Sequence, residues 1–204
     1  MEFSLAIFDL GNTLFRTDWD KPFQIWSSAT GLSEAELKSR YVWDHPTFEL
    51  FQRGEVSAQQ FHSHVCELLQ TSLSYEDFVR GWTSIYAELY DDVVNAIANL
   101  KADIIRVAYT NTDSIHETIW LERYWELSRI FARVYISSRL GFRKPEPRGF
   151  KHILDEWQVK AERAVFFDDD PTYADAAKAL GITAVLVHQP QDVVRSLIAF
   201  NMLT

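Results

Sequence analysis

The chain has 204 residues, with 29 acidic against 20 basic side chains and a formal net charge of −9. That excess of acid excludes a general nucleic-acid binder, whose affinity for the phosphate backbone comes from clustered Lys and Arg, and it disfavours an anionic membrane surface. A hydrophobic fraction of 47% with 24% charged residues excludes wholesale disorder, and the length suits one compact domain or one domain with a sizeable insertion.

The opening residues, Met1-Glu2-Phe3-Ser4, carry no basic stretch leading into an apolar run. No apolar run approaches the roughly 20 residues that span a bilayer, so the cytoplasm is the expected compartment. Leu5-Ala6-Ile7-Phe8 has the length and continuous apolar character of a buried strand. In the next interval, residues 15–88, no buried strand is evident and helix starts recur. Ser33 with Glu36 predicts a capping box before Leu37. Ser57 opens a segment through Phe61, Val65 and Leu68, Ser74 with Asp77 opens one through Phe78, Trp82 and Ile85, and Gly54 marks a turn. Cys66 is the only cysteine, which excludes an intramolecular disulfide and reads as a small buried hydrophobe. His62 and His64 lie two apart on a helix and face different directions, so they do not pair on a metal. Trp19, Trp26, Trp43 and Trp82 supply aromatic surface for the interval's own core or for stacking on a sugar face.

Beyond the interval, strand and helix alternate. Val93, Ile97 and Leu100 have helical spacing, and Ile104–Tyr109 reads as a strand. Val134-Tyr135-Ile136, Ala164–Phe167 and Ala184–Val187 are further strands, separated by helices through Phe150, Ile153, Leu154 and Trp157 and through Ala174, Ala177 and Leu180, the last closed by Gly181. Apolar runs without alternation fit strands buried on both faces of a parallel sheet. The expectation is an α/β protein with a doubly wound, Rossmann-like parallel sheet formed by residues 1–14 and 89–204, and a small helical insertion, 15–88, above it.

The residues just after each apolar run carry the chemistry. The first strand ends in Asp9-Leu10-Gly11-Asn12-Thr13 and the second in Thr110-Asn111-Thr112-Asp113. The third leads through Ser137-Ser138 to Arg143-Lys144-Pro145, and the fourth ends in Asp168-Asp169-Asp170. A single Asp after a strand is ordinarily a cap or turn residue, but ligands of open α/β sheets bind at these carboxyl ends, and four polar ends converge here. Asp9 beside Asp168 and Asp169 crowds carboxylates, which is unfavourable unless a proton or a cation intervenes. Mg²⁺ takes carboxylate, water and phosphate oxygens and is the natural cation. Thr110, Asn111 and Lys144 offer donors suited to a phosphoryl group, and Asp9 is available as a nucleophile that forms an aspartyl-phosphate. Arg143 either adds charge there or makes a surface ion pair. Asp170 either acts through water or caps the next helix.

The order Asp9, Thr110-Asn111, Lys144, Asp168-Asp169 resembles the haloacid dehalogenase superfamily of aspartate-nucleophile hydrolases across essentially the whole chain. The helical interval resembles that family's small α-helical cap. Phe8-Asp9-Leu10-Gly11-Asn12, Arg53-Gly54-Glu55, Tyr75-Glu76, Gly81-Trp82, Leu140–Glu146 and Phe166-Phe167-Asp168-Asp169 are similar to its α-D-glucose-1-phosphate phosphatase subgroup. The resemblance implies a Mg²⁺-dependent phosphatase acting on a small phosphorylated metabolite, a sugar phosphate such as glucose 1-phosphate. It implies Asp9 as nucleophile and metal ligand, the Gly11 carbonyl, Asp169 and Asp168 at the metal, and Thr110 and Asn111 on the phosphoryl oxygens. Lys144 would bridge phosphate and Asp9, and His116 would reach the substrate or cap and pack. It sets no oligomeric state.

One position departs from the pattern. Most phosphatases of the superfamily carry a second Asp, the general acid, two residues after the nucleophile, where this chain has Gly11. Losing a general acid typically costs ~10²–10⁴-fold. A water or a cap carboxylate, Asp18 first, is the expected substitute, and an anomeric phosphate with its good leaving group has less need of one. The competing readings are a metal-free dehalogenase, against which the Asp168-Asp169 pair argues, a receiver domain, whose motif order differs, and a non-catalytic binding protein with this fold.

Overall fold

The structure, a computed structural model, describes residues 2–43 and 45–204. Its strands are β1 (Leu5–Phe8), β2 (Phe15–Thr17), β3 (Tyr86–Leu89), β4 (Ile105–Thr110), β5 (Arg133–Ile136), β6 (Ala164–Asp168) and β7 (Thr183–Leu186). The main sheet has the order β5-β4-β1-β6-β7 with parallel pairing throughout. β1 is central, and it is buried at every position because helices cover both faces of the sheet. Leu5 and Ile7 pack with Phe150, Ile153 and Leu154 on one face, whereas Ala6 and Phe8 pack with Val93, Ile97 and Leu197 on the other. Side chains that alternate across a strand therefore find apolar partners in both directions, which is why the strands read as uninterrupted apolar runs.

The helices between β2 and β3 are α1 (Lys21–Thr30), α2 (Glu34–Arg40), α3 (Pro46–Gln52), α4 (Ala58–Leu69) and α5 (Tyr75–Trp82). Those of the sheet layer are α6 (Asp91–Ala98), α7 (Ser114–Arg123), α8 (Leu127–Ile130), α9 (Ser137–Leu140), α10 (Pro147–Trp157), α11 (Pro171–Ala179) and α12 (Gln191–Ala199). Capping boxes start α2 at Ser33 with Glu36 and α4 at Ser57 with Gln60. The Ser74 hydroxyl accepts from the Asp77 N–H at 3.0 Å to start α5. The helical segment has its own apolar core, in which Trp26 of α1 stacks parallel to Trp82 of α5. Gly81 makes that approach possible: a Cβ there would sit 2.1 Å from the Trp26 Nε1. Among the described residues, no helix is long and apolar enough to cross a membrane.

Two strands lie where the sequence shows none. β2 and β3 pair antiparallel at the two ends of the helical segment, with Phe15 opposite Leu89 and Thr17 opposite Tyr86. Their outward positions are Arg16 and Glu88, exposed and hydrogen-bonded at 2.7 Å. Short strands that alternate charged and apolar residues present no apolar run, and their partners are far apart in the chain. The expected helix through Ile85 ends at Trp82, succeeded by a turn of 3₁₀ helix over Thr83–Ile85.

Candidate active site

Four strand ends of the main sheet build one site. The Asp9 N–H donates to the Phe167 carbonyl at 2.9 Å, extending the sheet ladder one residue beyond β1, and its carboxylate emerges there. Lys144 arrives on the loop before α10. Its Nζ is 2.6 Å from Asp9 Oδ1 and 2.6 Å from Asp168 Oδ2, and the residue is 1% exposed. The rings of Tyr109, Phe166 and Tyr173 surround the ammonium at 5.1–5.7 Å. Asn111 holds this lysine by its backbone, its Oδ1 accepting from the Lys144 N–H at 2.8 Å and its Nδ2 donating to the Lys144 carbonyl at 2.9 Å. Beside it the Ser137 hydroxyl accepts from the Thr112 N–H and donates to the Thr112 carbonyl, both at 2.9 Å, locking the β4 and β5 ends together.

Asp168, the last residue of β6, is fully buried, and its second oxygen accepts from the Asp170 N–H at 2.8 Å. Asp169 is half-buried and accepts from Asn12 Nδ2 at 3.0 Å. Asn12 sits in the left-handed region, φ 52°, which Asn tolerates better than most residues. From there its Oδ1 also accepts from the backbone and the hydroxyl of Thr17 at 3.0 and 2.9 Å. One amide thus joins an active-site carboxylate to the ribbon at the base of the helical segment. Asp9, Asp168 and Asp169 each offer an oxygen within 4.8 Å of the others.

The electrostatics are set by this crowding. Burial pushes the Asp9 carboxyl up to about 7, with Lys144 pulling it down and Asp168 and Asp169 adding to the rise. Burial likewise raises Asp168 despite its contact with Lys144. Burial alone would lower Lys144, but Asp168 and Asp9 at contact distance hold it firmly protonated. One ammonium faces three carboxylates.

A cavity of about 200 Å³ opens over these groups. Its floor includes Asp9, Gly11, Thr110, Asn111, Lys144 and Asp169, and its walls include Phe15, Trp19, Tyr86 and Trp120. Gln52, at the end of α3, lines it from the helical segment. α3 is fastened to the loop that carries Lys144, because Arg53 pairs with Glu146 at 2.7 Å and Glu49 with Arg143 at 3.0 Å. Gly54 lets the backbones meet: it has φ 71°, and a Cβ there would come within 2.3 Å of the Ser138 carbonyl oxygen.

The sequence profile of the haloacid dehalogenase-like hydrolases matches residues 3–181. The chain belongs to this family. A phosphoglycolate phosphatase from Mesorhizobium japonicum is 31% identical over 90% of this chain and 82% of its own length. A D-ribitol-5-phosphate phosphatase from Bacteroides thetaiotaomicron is 23% identical over 86% of this chain and 87% of its own. Among solved structures, the magnesium complex of a haloacid dehalogenase family enzyme from Bacteroides thetaiotaomicron superposes with a TM-score of 0.79. It is 18% identical and covers 91% of this chain and 93% of that one.

In this hydrolase the expected site residues take different places. Asp9, Gly11, Thr110, Asn111, Lys144, Asp168 and Asp169 come together at the strand ends. His116 lines the cavity, but both ring nitrogens are engaged: Nδ1 lies 2.7 Å from Asp113 Oδ2 and Nε2 lies 2.6 Å from the Trp82 carbonyl. Asp113 caps α7, accepting from the backbone of Ile115 and His116 and from Trp82 Nε1. Burial would raise Asp113, but His116 and these donors hold its carboxyl below the usual range. His116 is therefore oriented as a wall whose polar atoms hold α7 to α5. Asp18 follows the end of β2 and is not among the residues that line the cavity. Thr17 and Trp19 on either side of it do line the cavity, whereas the Asp18 carboxylate pairs with Arg16 at 3.6 Å. Asp170 caps α11 by accepting from the Thr172 N–H at 2.7 Å, and Arg143 pairs with Glu49 and reaches the Tyr173 hydroxyl. Sequence reasoning gave no role to Ser137 or Gln52, and for Asn12 only its place in the first motif was visible.

Proposed function

We propose that this hydrolase is a Mg²⁺-dependent phosphatase of a small phosphorylated metabolite, a sugar phosphate such as glucose 1-phosphate, acting through an aspartyl-phosphate on Asp9. The observation that carries the reading is the Asp9 carboxylate held by Lys144 at 2.6 Å on the floor of a small cavity, with Asp168 and Asp169 beside it. The phosphatases among its relatives support the same reading.

When ionised, the three carboxylates against one ammonium leave two negative charges and offer oxygen donors to a metal. This donor set fits Mg²⁺, a hard cation that takes oxygens and keeps several waters. Asp9, Asp169 and the Gly11 carbonyl would hold the ion, with Asp168 behind them securing Lys144. When bound, the ion neutralises charge between nucleophile and phosphoryl group.

The remaining steps belong to the chain. Lys144 fixes the Asp9 carboxylate so that one oxygen faces the phosphorus. The Asp9 oxygen bonds to phosphorus as the bond to the sugar oxygen breaks, and the departing oxygen takes its proton from water, since Gly11 has none to give. Water then attacks the aspartyl-phosphate, releasing inorganic phosphate and restoring the carboxylate. Thr110 and the Asn111 N–H receive the phosphoryl oxygens, because the Asn111 side chain is committed to the Lys144 backbone. Residues 15–88 serve as the cap over the leaving group.

The test is turnover of a sugar-phosphate panel with and without Mg²⁺, by the wild type and Asp9→Asn. Mg²⁺-dependent phosphate release, abolished in a folded Asp9→Asn variant, is expected. Metal-independent chloride release from 2-haloacids, or unchanged turnover in Asp9→Asn, would overturn the reading.

A further inference from the structure

Two residues that line the cavity each carry a buried polar atom with nothing to bind. Gln52 is 8% exposed, and its Oε1 is buried without a hydrogen-bond partner among the described residues. Trp120 of α7 is 2% exposed, and its Nε1, a donor, is likewise buried and unpartnered. Both residues line the cavity whose floor carries Asp9 and Lys144. More than nine in ten buried polar groups find a partner, because an unmet one forfeits its hydration for nothing in return. An unmet acceptor and an unmet donor, on residues of the helical segment and of the sheet layer that line one small cavity, mark a place for a ligand.

Neither orphan is accidental slack. Gln52 ends α3, which the Arg53–Glu146 and Glu49–Arg143 pairs tie to the loop bearing Lys144. Trp120 packs in the main apolar core on α7, which Asp113 and His116 hold to Trp82. The two side chains are therefore placed by the same contacts that place the catalytic floor.

We infer that Gln52 and Trp120 form the leaving-group subsite and read hydroxyls on the carbon skeleton of the substrate: Gln52 Oε1 accepts from one, and Trp120 Nε1–H donates to one. This inference rests on the phosphatase reading and adds what that reading leaves open, the residues that choose the leaving group. A hydroxyl is the group that both donates and accepts. A leaving group that bears a carboxylate, as in phosphoglycolate, offers Gln52 no proton from that carboxylate and adds a negative charge beside Asp9 and Asp169. A hydrocarbon chain leaves both atoms unmet. The walls formed by Phe15, Trp19 and Tyr86 suit the C–H faces of a sugar or polyol. At about 200 Å³ the cavity holds the equivalent of about seven waters at ~30 Å³ each, so the skeleton is small.

The experiment compares kcat/KM for glucose 1-phosphate with that for cyclohexyl phosphate, a ring of the same size without hydroxyls. It uses the wild type, Gln52→Leu, Gln52→Glu and Trp120→Phe, with Mg²⁺ present. The ratio cancels effects on folding and on the phosphoryl site that both substrates share. The wild type favours the sugar phosphate. Gln52→Leu and Trp120→Phe each reduce that preference by about tenfold or more, while Gln52→Glu, which keeps an acceptor, retains most of it. Ratios within twofold of wild type in both Gln52→Leu and Trp120→Phe would show that only water occupies these atoms and overturn the subsite. A second arm separates this failure from failure of the phosphatase reading. In an Asp9→Asn background, calorimetric binding of glucose 1-phosphate is weakened by Gln52→Leu at least tenfold more than that of cyclohexyl phosphate, whatever the turnover assays give. Equal weakening of both ligands there would also overturn it.

Discussion

Replacing Lys144 with Met tests the electrostatic account most directly. The thioether has nearly the length of the lysine stem, and the rings of Tyr109, Phe166 and Tyr173 already surround the position, so little space is lost. What disappears is the ammonium 2.6 Å from both Asp9 and Asp168. Breaking a buried ion pair by removing one partner costs about 3–5 kcal/mol, because the other charge is left uncompensated. Here the cost depends on pH in a definite direction. Asp9 sits near about 7 in the folded protein, above the ~3.9 of a free Asp, and Asp168 is also raised. The folded state therefore holds more protons than the unfolded state between about pH 4 and 7, and stability falls as pH rises through that window. Lys144 opposes the rise at both carboxyls, so Lys144→Met carries the fall on to higher pH. Urea unfolding monitored by tryptophan fluorescence, in a chain with seven Trp, measures it. The deficit relative to wild type is expected to be small up to about pH 6, where Asp9 is protonated in both folded proteins, and to grow by about 1.4 kcal/mol for each pH unit above about 7, toward the about 3–5 kcal/mol of an uncompensated buried charge. A deficit of constant size across that range would mean lost packing, and one below about 1 kcal/mol at high pH would mean that the carboxylates are already screened by water; either refutes the reasoning.

Asn12→Gly removes the amide between Asp169 and Thr17 without straining a backbone at φ 52°. Loss of a group that orients a ligand typically weakens metal binding 10–100-fold, so the Mg²⁺ concentration for half-maximal turnover should rise by about that factor, as a Mg²⁺ titration would show. Asp18→Asn should leave kcat within about threefold and the pH–rate profile unchanged, because the carboxylate faces Arg16 and not the cavity. A loss on the order of 10²-fold would instead make Asp18 the missing proton donor.

The parallel core was legible because β1 and β6 are buried on both faces, which writes their burial into the sequence as unbroken apolar runs. Their polar endings were legible for a related reason: a charged residue directly after a buried strand has few uses other than capping or chemistry. Asp170 took the first use and Asp169 faces the cavity, a distinction that depends on which way the backbone turns into α11. The ribbon of β2 and β3 was not legible, since Arg16 and Glu88 interrupt it and its pairing joins residues at opposite ends of the helical segment. Without the ribbon, the sequence does not show that Thr17 lies on the cavity side, nor that Asp18, just past the end of β2, pairs with Arg16. Gln52 was invisible because a Gln at the end of a short amphipathic helix is ordinarily solvated. The contacts that bury it, Arg53 with Glu146 and Gly54 against Ser138, cross between segments far apart in the chain.

The same cross-links bear on how so acidic a chain meets an anion. A phosphate site in an acidic protein can be built by gathering surplus Arg and Lys, and two arginines do approach this cavity. Arg53, however, is taken up by Glu49 and Glu146, and Arg143 by Glu49, so their charge holds the helical segment to the sheet layer. Lys144 is the one Lys or Arg among the described residues lining the cavity, and it lies between Asp9 and Asp168. With the three carboxylates ionised, a phosphoryl group entering this floor meets two uncompensated negative charges, and like charges about 4 Å apart repel by ~1 kcal/mol in water and ~4 kcal/mol near a protein surface. Rearranging the cations already there does not remove that repulsion without releasing the helical segment from the sheet layer or leaving Asp168 unpaired. A divalent cation shared by the carboxylates and the phosphoryl oxygens does, and it turns the carboxylates from an obstacle into the reason the anion binds. The net charge of −9 and an anionic substrate are thus compatible through the oxygens of Asp9 and Asp169.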